Sequence, residues 1–229
     1  MLIHGFQKTT LLDFPQKVAA TVFTGGCNLR CPFCHNASLV THIDTAQIIP
    51  EEEIFSYLKK RKGILDGVCI TGGEPLLQKD LEEFCKKIHD LGLLVKLDTN
   101  GSFPDRLRGL IENKRIDYIA MDIKNALSLY PVTCGLEQTP DGIEESIRLI
   151  MSSPIPYEFR TTVVRELHTE ESLVDLAHTI KGAKKYYLQG FIDSGDLIGE
   201  GLSAYSEEEM HVLLERVRTV IPHASLRGM

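Results

Sequence analysis

Three of the chain's six cysteines crowd into eight residues, Cys27, Cys31 and Cys34, within the run Gly25-Gly26-Cys27-Asn28-Leu29-Arg30-Cys31-Pro32-Phe33-Cys34-His35-Asn36. Thiolates are soft ligands that suit zinc or iron–sulfur clusters. A structural zinc site needs four protein ligands. His35 abuts Cys34, where it would strain as the fourth, and no second Cys-x-x-Cys or His pair follows downstream. The spacing therefore points to a [4Fe–4S] cluster held by three thiolates, with one iron left open for a substrate or cosubstrate. Cys69 and Cys85 fall in apolar runs, where free cysteine behaves as a small hydrophobe. Cys134 falls in a predicted loop and is not assigned as a ligand.

Around this loop the chain repeats one unit, a short apolar β-rich run, a turn and a helix-periodic segment. The predicted strands are Val18–Gly25, Gly67–Thr71, Leu94–Thr99, Tyr118–Lys124, Tyr157–Val164 and Lys185–Phe191. They read as nearly continuous apolar runs, as parallel strands covered on both faces do. Helical stripes lie between them. Leu81, Phe84, Cys85, Ile88 and Leu91 form one, Ile143, Ile147, Ile150 and Met151 a second, Leu173, Leu176, Ala177 and Ile180 a third. Ser206 with Glu209 makes a capping box before the last stripe, from Met210 to Ile221.

Six such units with right-handed crossovers give an α/β fold, a single-domain partial (β/α)6 barrel. A closed eight-unit barrel takes about 250 residues, and this chain has 229. No linker or composition shift divides it. Residues 1–17 read as an N-terminal extension, 18–191 as the six units, and 192–229 as a C-terminal loop and helix.

Three further motifs sit at predicted strand ends: Gly72-Gly73-Glu74-Pro75, Asp98-Thr99-Asn100-Gly101 and Met121-Asp122-Ile123-Lys124. Alone, the first two are ordinary turns and the third an exposed ion pair. With the cysteine loop, they put four polar motifs at the C-terminal ends of parallel strands, the face on which sites assemble. Gly72 and Gly73 let backbone approach a ligand closely. Asp98 and Asp122 would place two carboxylates near each other, which requires a counter-charge such as Lys124.

The formal charge is −7, from 25 Lys and Arg against 32 Asp and Glu, with no dense basic block. The basic footprint of a nucleic-acid binder is missing. No apolar run approaches the ~20 residues that cross a bilayer, and the N-terminus lacks a signal-peptide core. A cytoplasmic protein with reduced thiols and no membrane partner is expected.

On these motifs the chain resembles the radical S-adenosylmethionine (SAM) superfamily, and within it the activases of glycyl radical enzymes, most of all those of anaerobic ribonucleoside-triphosphate reductase. The resemblance runs from Leu12-Asp13-Phe14-Pro15 to the last predicted strand. It implies a radical SAM barrel with one [4Fe–4S] cluster on Cys27, Cys31 and Cys34. It implies SAM contacts from Phe33, Gly72, Gly73, Glu74, Asp98, Asn100, Asp122, Lys124, Val164 and Phe191. A Na⁺ or K⁺ ion on Asp98, Thr99, Asp122 and the Ala120 carbonyl is implied as well. Asp13, Arg160 and Gln189 would meet the partner in the gap between the first and last strands. Gln16 stands where activases commonly carry glycine. The implied reaction is reductive cleavage of SAM to a 5′-deoxyadenosyl radical, with flavodoxin or ferredoxin as donor, followed by removal of a glycine Cα hydrogen on the partner. No side-chain acid or base is assigned. The alternatives are an activase of another glycyl radical enzyme, a radical SAM enzyme acting on a small molecule, as deazaguanine synthases do, and an electron carrier without catalysis.

Overall fold

The computed structural model describes residues 1–41, 43 and 47–228. Its strands form one eight-stranded sheet in sequence order, β1 to β8, so every crossover connects neighbours. Six of them correspond to the predicted strands: β2 (Ala19–Thr24), β3 (Gly67–Gly72), β4 (Leu94–Thr99), β5 (Tyr118–Asp122), β6 (Tyr157–Val163) and β7 (Tyr186–Gly190). All five pairings among them are parallel. Two more strands flank the six. β1 (Ile3–Thr10) pairs antiparallel with β2, and β8 (Ser225–Arg227) pairs parallel with β7. The N-terminal extension thus contains a strand, and Gln189 on β7 lies one strand inside the edge, opposite Arg227.

Side chains alternate across each strand. Val22, Ile70, Leu97, Met121, Phe159 and Leu188 point to the helices and share their buried apolar cluster. The opposite face differs from the expectation of apolar residues on both sides. Thr21, Cys69, Lys96, Asp98, Glu158 and Arg160 occupy it, and Lys96 and Glu158 are each only 1% exposed. At its lower end Phe14, from the loop after β1, packs with Ala19, Leu94 and Tyr118 in a second apolar cluster. A Cβ on Gly67 would lie 2.9 Å from the Phe14 ring, so glycine there makes room for the plug.

The helical stripes bury as their periodicity predicts. The helix Leu81–Asp90 buries Leu81, Phe84, Cys85 and Ile88, and the helix Ile143–Ser152 buries Ile143, Ile147 and Ile150. The last helix, Glu207–Arg218, starts at the capping box: the Glu209 N–H donates to Ser206 Oγ at 3.2 Å, and the Ser206 N–H to the Glu209 carboxylate at 2.7 Å. Among the described residues no helix is long and apolar enough to cross a membrane.

Candidate functional site

The C-terminal ends of the parallel strands open into a cavity of about 300 Å³, at the lower end of the range for small-ligand sites. The cysteine loop after β2, Gly72-Gly73 after β3, Asp98 to Asn100 at the end of β4, and Asp122 and Lys124 at the end of β5 all line it. Cys27, Cys31, Phe33, Cys34, Arg160 and Gln189 face the same space. Four motifs spread over a hundred residues therefore meet at one place.

Backbone holds the cysteine loop to its neighbours. The Gly73 N–H donates to Thr24 O at 2.8 Å and the Glu74 N–H to Gly26 O at 2.7 Å. A Cβ on Gly73 would lie 2.0 Å from Gly26 O, and one on Gly72, at φ +112°, 2.4 Å from Thr24 N. The two glycines line the cavity, but their lack of side chains is first required by the neighbouring loop. Asn36 Nδ2 adds a bond to Gly72 O at 3.0 Å. On the far side the Arg30 N–H donates to Cys134 O at 2.8 Å.

All six cysteines are free thiols. The Leu29 N–H and Asn100 Nδ2 point at Cys27 Sγ from 3.4 and 3.7 Å, the donors a ligating thiolate accepts. Burial pushes the Cys27 thiol up to about 11 and raises Cys34. Cys31 is drawn down, chiefly by a hydrogen bond from Cys134. Cys134 is thus a buried neighbour of the loop, which its place in the sequence did not reveal. Among the described residues no group of His, Cys, Asp or Glu converges closely enough to hold a single ion. Three thiols spread around one cavity suit a broad multi-iron cluster better than one tetrahedral zinc.

Glu74 is fully buried and does not line the cavity. Its carboxylate accepts from the Leu76 N–H at 2.9 Å, the Thr99 hydroxyl at 2.9 Å and the Asn100 N–H at 2.7 Å. Its role is to fasten two turns rather than to touch a ligand. Val164 and Phe191 are also buried outside the cavity lining. The Val164 N–H donates to His168 Nδ1 at 3.0 Å, which leaves the Nε2 proton to bond Lys124 O at 2.7 Å. Phe33 packs edge-on against His168, and Phe191 stacks on His35.

Asp98 and Asp122 do lie near each other, but the group between them is Arg160. Its Nε is 2.8 Å from Asp122 and its Nη1 3.1 Å from Asp98. Lys124 also pairs with Asp122 at 3.1 Å, and Lys96 with Asp98. Burial would raise both carboxyls, but Arg160 and the lysines outweigh it and hold them below the usual range. Lys124 is held protonated, since Asp122 outweighs its burial. Three of the four expected Na⁺ or K⁺ donors are therefore committed elsewhere: Asp98 and Asp122 to cations of the chain, Thr99 to Glu74. Arg160, expected to meet a partner, spends its guanidinium inside the lumen. Asp13, expected at the same groove, lies in the β1–β2 loop and accepts from the Thr21 hydroxyl. Nothing in the sequence marked Lys96, which reads there as an interruption of an apolar strand.

Residues 21–180 match the model of the Radical SAM superfamily. A Methanocaldococcus jannaschii protein named "Putative glycyl-radical enzyme activating enzyme" is 35% identical over 212 residues, covering 90% of this chain and 83% of its own. A Helicobacter pylori GTP 3′,8-cyclase is 29% identical over 182 residues, and there the chain spans 53% of the relative's length. Among solved structures, a domain of pyruvate-formate lyase-activating enzyme from Bacteroides vulgatus superposes with a TM-score of 0.58 at 18% identity. It covers 71% of this chain and 99% of that one, and it shows the shared partial-barrel fold. With its three-cysteine loop at the mouth of that barrel, the chain belongs to the radical SAM superfamily and is a radical SAM enzyme.

Proposed function

We propose that this radical SAM enzyme activates a glycyl radical enzyme, most specifically an anaerobic ribonucleoside-triphosphate reductase, with flavodoxin or ferredoxin as its reductant in a reducing cytoplasm. The observation that carries the activase reading is the like-length relative named as a glycyl-radical enzyme activating enzyme, which aligns over 90% of this chain. Residues 1–229 act as one unit around the continuous sheet.

Cys27, Cys31 and Cys34 would hold the [4Fe–4S] cluster. Phe33, Gly72, Gly73, Asn100 and Lys124 would line the SAM subsite beside it. When bound, the cluster and SAM would supply one-electron chemistry able to remove a carbon-bound hydrogen. The chain's own residues bind, orient and exclude water. Lys124, held charged by Asp122, faces the cavity as a fixed cation for an anionic group. Asn100 Nδ2 steadies the Cys27 sulfur, and the Glu74 bonds keep the Gly73 and Asn100 turns in register. Gln189, which faces the cavity, remains the residue proposed to meet the partner.

The test combines anaerobically reconstituted enzyme, SAM and a reductant with candidate glycyl radical enzymes. An EPR glycyl-radical doublet on the partner, with 5′-deoxyadenosine released, is expected. SAM cleavage with no radical on any such partner would favour the small-molecule reading, which the match to a GTP 3′,8-cyclase supports.

A further inference from the structure

The polar groups at the floor of the cavity and in the lumen beneath it balance their own charge. Arg160 reaches Asp122 Oδ1 and Asp98 Oδ2, Lys124 takes Asp122 Oδ2, and Lys96 takes Asp98 Oδ1. Every carboxylate oxygen of the pair thus has a cationic partner. Lower down, Arg227 grips Glu158 with both terminal nitrogens, at 2.7 and 3.0 Å. Asp13, a charged neighbour of Cys69, accepts from Thr21. Four cations, Lys96, Lys124, Arg160 and Arg227, therefore stand against four carboxylates, Asp13, Asp98, Asp122 and Glu158. Glu74 stands apart, satisfied by two backbone N–H groups and the Thr99 hydroxyl.

A metal ion placed between Asp98 and Asp122 would meet the Arg160 guanidinium, whose side chain is 15% exposed. It would have to expel that group or remain as a fifth, unpaired cation in a poorly solvated space, and an unpaired buried charge is costly. The guanidinium stays protonated at any working pH, and its planar fork fits two carboxylates at once. We infer that Arg160 is a built-in counter-cation, which makes SAM binding at this cavity independent of Na⁺ and K⁺. The inference rests on the cavity being the SAM site, as proposed above.

The test measures SAM affinity by calorimetry on the cluster-loaded enzyme at constant ionic strength, with Na⁺, K⁺ or tetramethylammonium as the only added cation. The wild-type dissociation constant should change by less than about twofold across the three, the range of negligible coupling. Arg160→Gln removes the charge, so its affinity in tetramethylammonium should fall by about tenfold or more and recover in K⁺ or Na⁺. Arg160→Lys, which keeps the charge, should stay insensitive to the cation. Melting temperatures of the same proteins without cluster give a second readout: K⁺ should raise that of Arg160→Gln and leave the wild type unchanged. Wild-type affinity that tracks Na⁺ or K⁺ overturns the inference whether or not the variants fold. Arg160→Gln binding SAM as tightly as wild type in tetramethylammonium overturns it too. A cluster-loaded wild type that binds no SAM in any buffer instead sinks the assignment of the cavity, and the inference with it.

Discussion

The Asn100 backbone N–H lies 2.7 Å from the Glu74 carboxylate, and through that bond the turn after β3 is fastened to the turn after β4. Glu74→Gln keeps one oxygen for the Leu76 and Thr99 donors but turns the other into an N–H₂ that faces the Asn100 N–H, donor against donor. The mismatch should cost about 1–3 kcal/mol, the penalty of an unsatisfied buried polar group, and urea unfolding measures it. Burial raises the Glu74 carboxyl from 4.5 to about 7 despite its three donors. A raised acid binds its proton more tightly folded than unfolded, so its contribution is fully present below pH 4.5 and is lost as pH rises through 7. Wild-type stability should show that decline between the two values, and Glu74→Gln should lack it.

Replacing Cys27, Cys31 or Cys34 by Ala should abolish the brown iron–sulfur chromophore and SAM cleavage, because three ligands are already the minimum. Cys85→Ala, on the buried stripe of the helix Leu81–Asp90, should leave both intact. Absorbance and iron content check the set. A folded Cys85 variant that loses its iron would contradict the ligand assignment.

Gly73 has no room for a methyl group, since Gly26 O would be 2.0 Å from it. Gly73→Ala should destabilise the protein by about 3 kcal/mol, at the large end for single substitutions, and lower iron content after reconstitution. Gly92, at φ +78° with nothing within 4 Å, is the control. There Ala meets only left-handed backbone strain of about 1–2 kcal/mol, and iron content should not change.

Gln16 adopts φ +61°, a left-handed conformation. Such backbone costs a residue with a Cβ about 1–2 kcal/mol, and glycine's extra unfolded freedom offsets roughly 0.5–1 kcal/mol of the relief. Gln16→Gly should therefore be neutral or stabilise by up to about 1.5 kcal/mol, read as a rise in melting temperature. A clear drop would mean that the Gln16 side chain holds the loop in place.

The six parallel strands were legible because their helix-facing residues form apolar runs, and Leu94–Thr99 falls where the sequence places it. β1 was not legible. Its sequence, Ile3-His4-Gly5-Phe6-Gln7-Lys8-Thr9-Thr10, carries the polar side chains of an edge strand that is half-buried or exposed at six of its eight positions. β8 has only three residues, too few for a period. The cysteine loop and the strand-end motifs were legible because their residue types are local. Their tertiary commitments were not. Arg160 and Asp98 are 62 residues apart, and only the sheet register brings them to one face. The same holds for Cys134, which meets Cys31 because its short helix folds back beneath the loop.

The bonds that shape the cysteine loop come from distant parts of the chain: Glu74, Cys134 and Asn100, the last 73 residues from Cys27. Contacts across such separations pay their loop-closure entropy first and form late in folding. The three thiols lie early in the chain, but what fixes their spacing, the turn after β4 and the helix Tyr130–Cys134, lies later. Iron loading should for this reason report completed folding, and a truncated chain should load iron poorly.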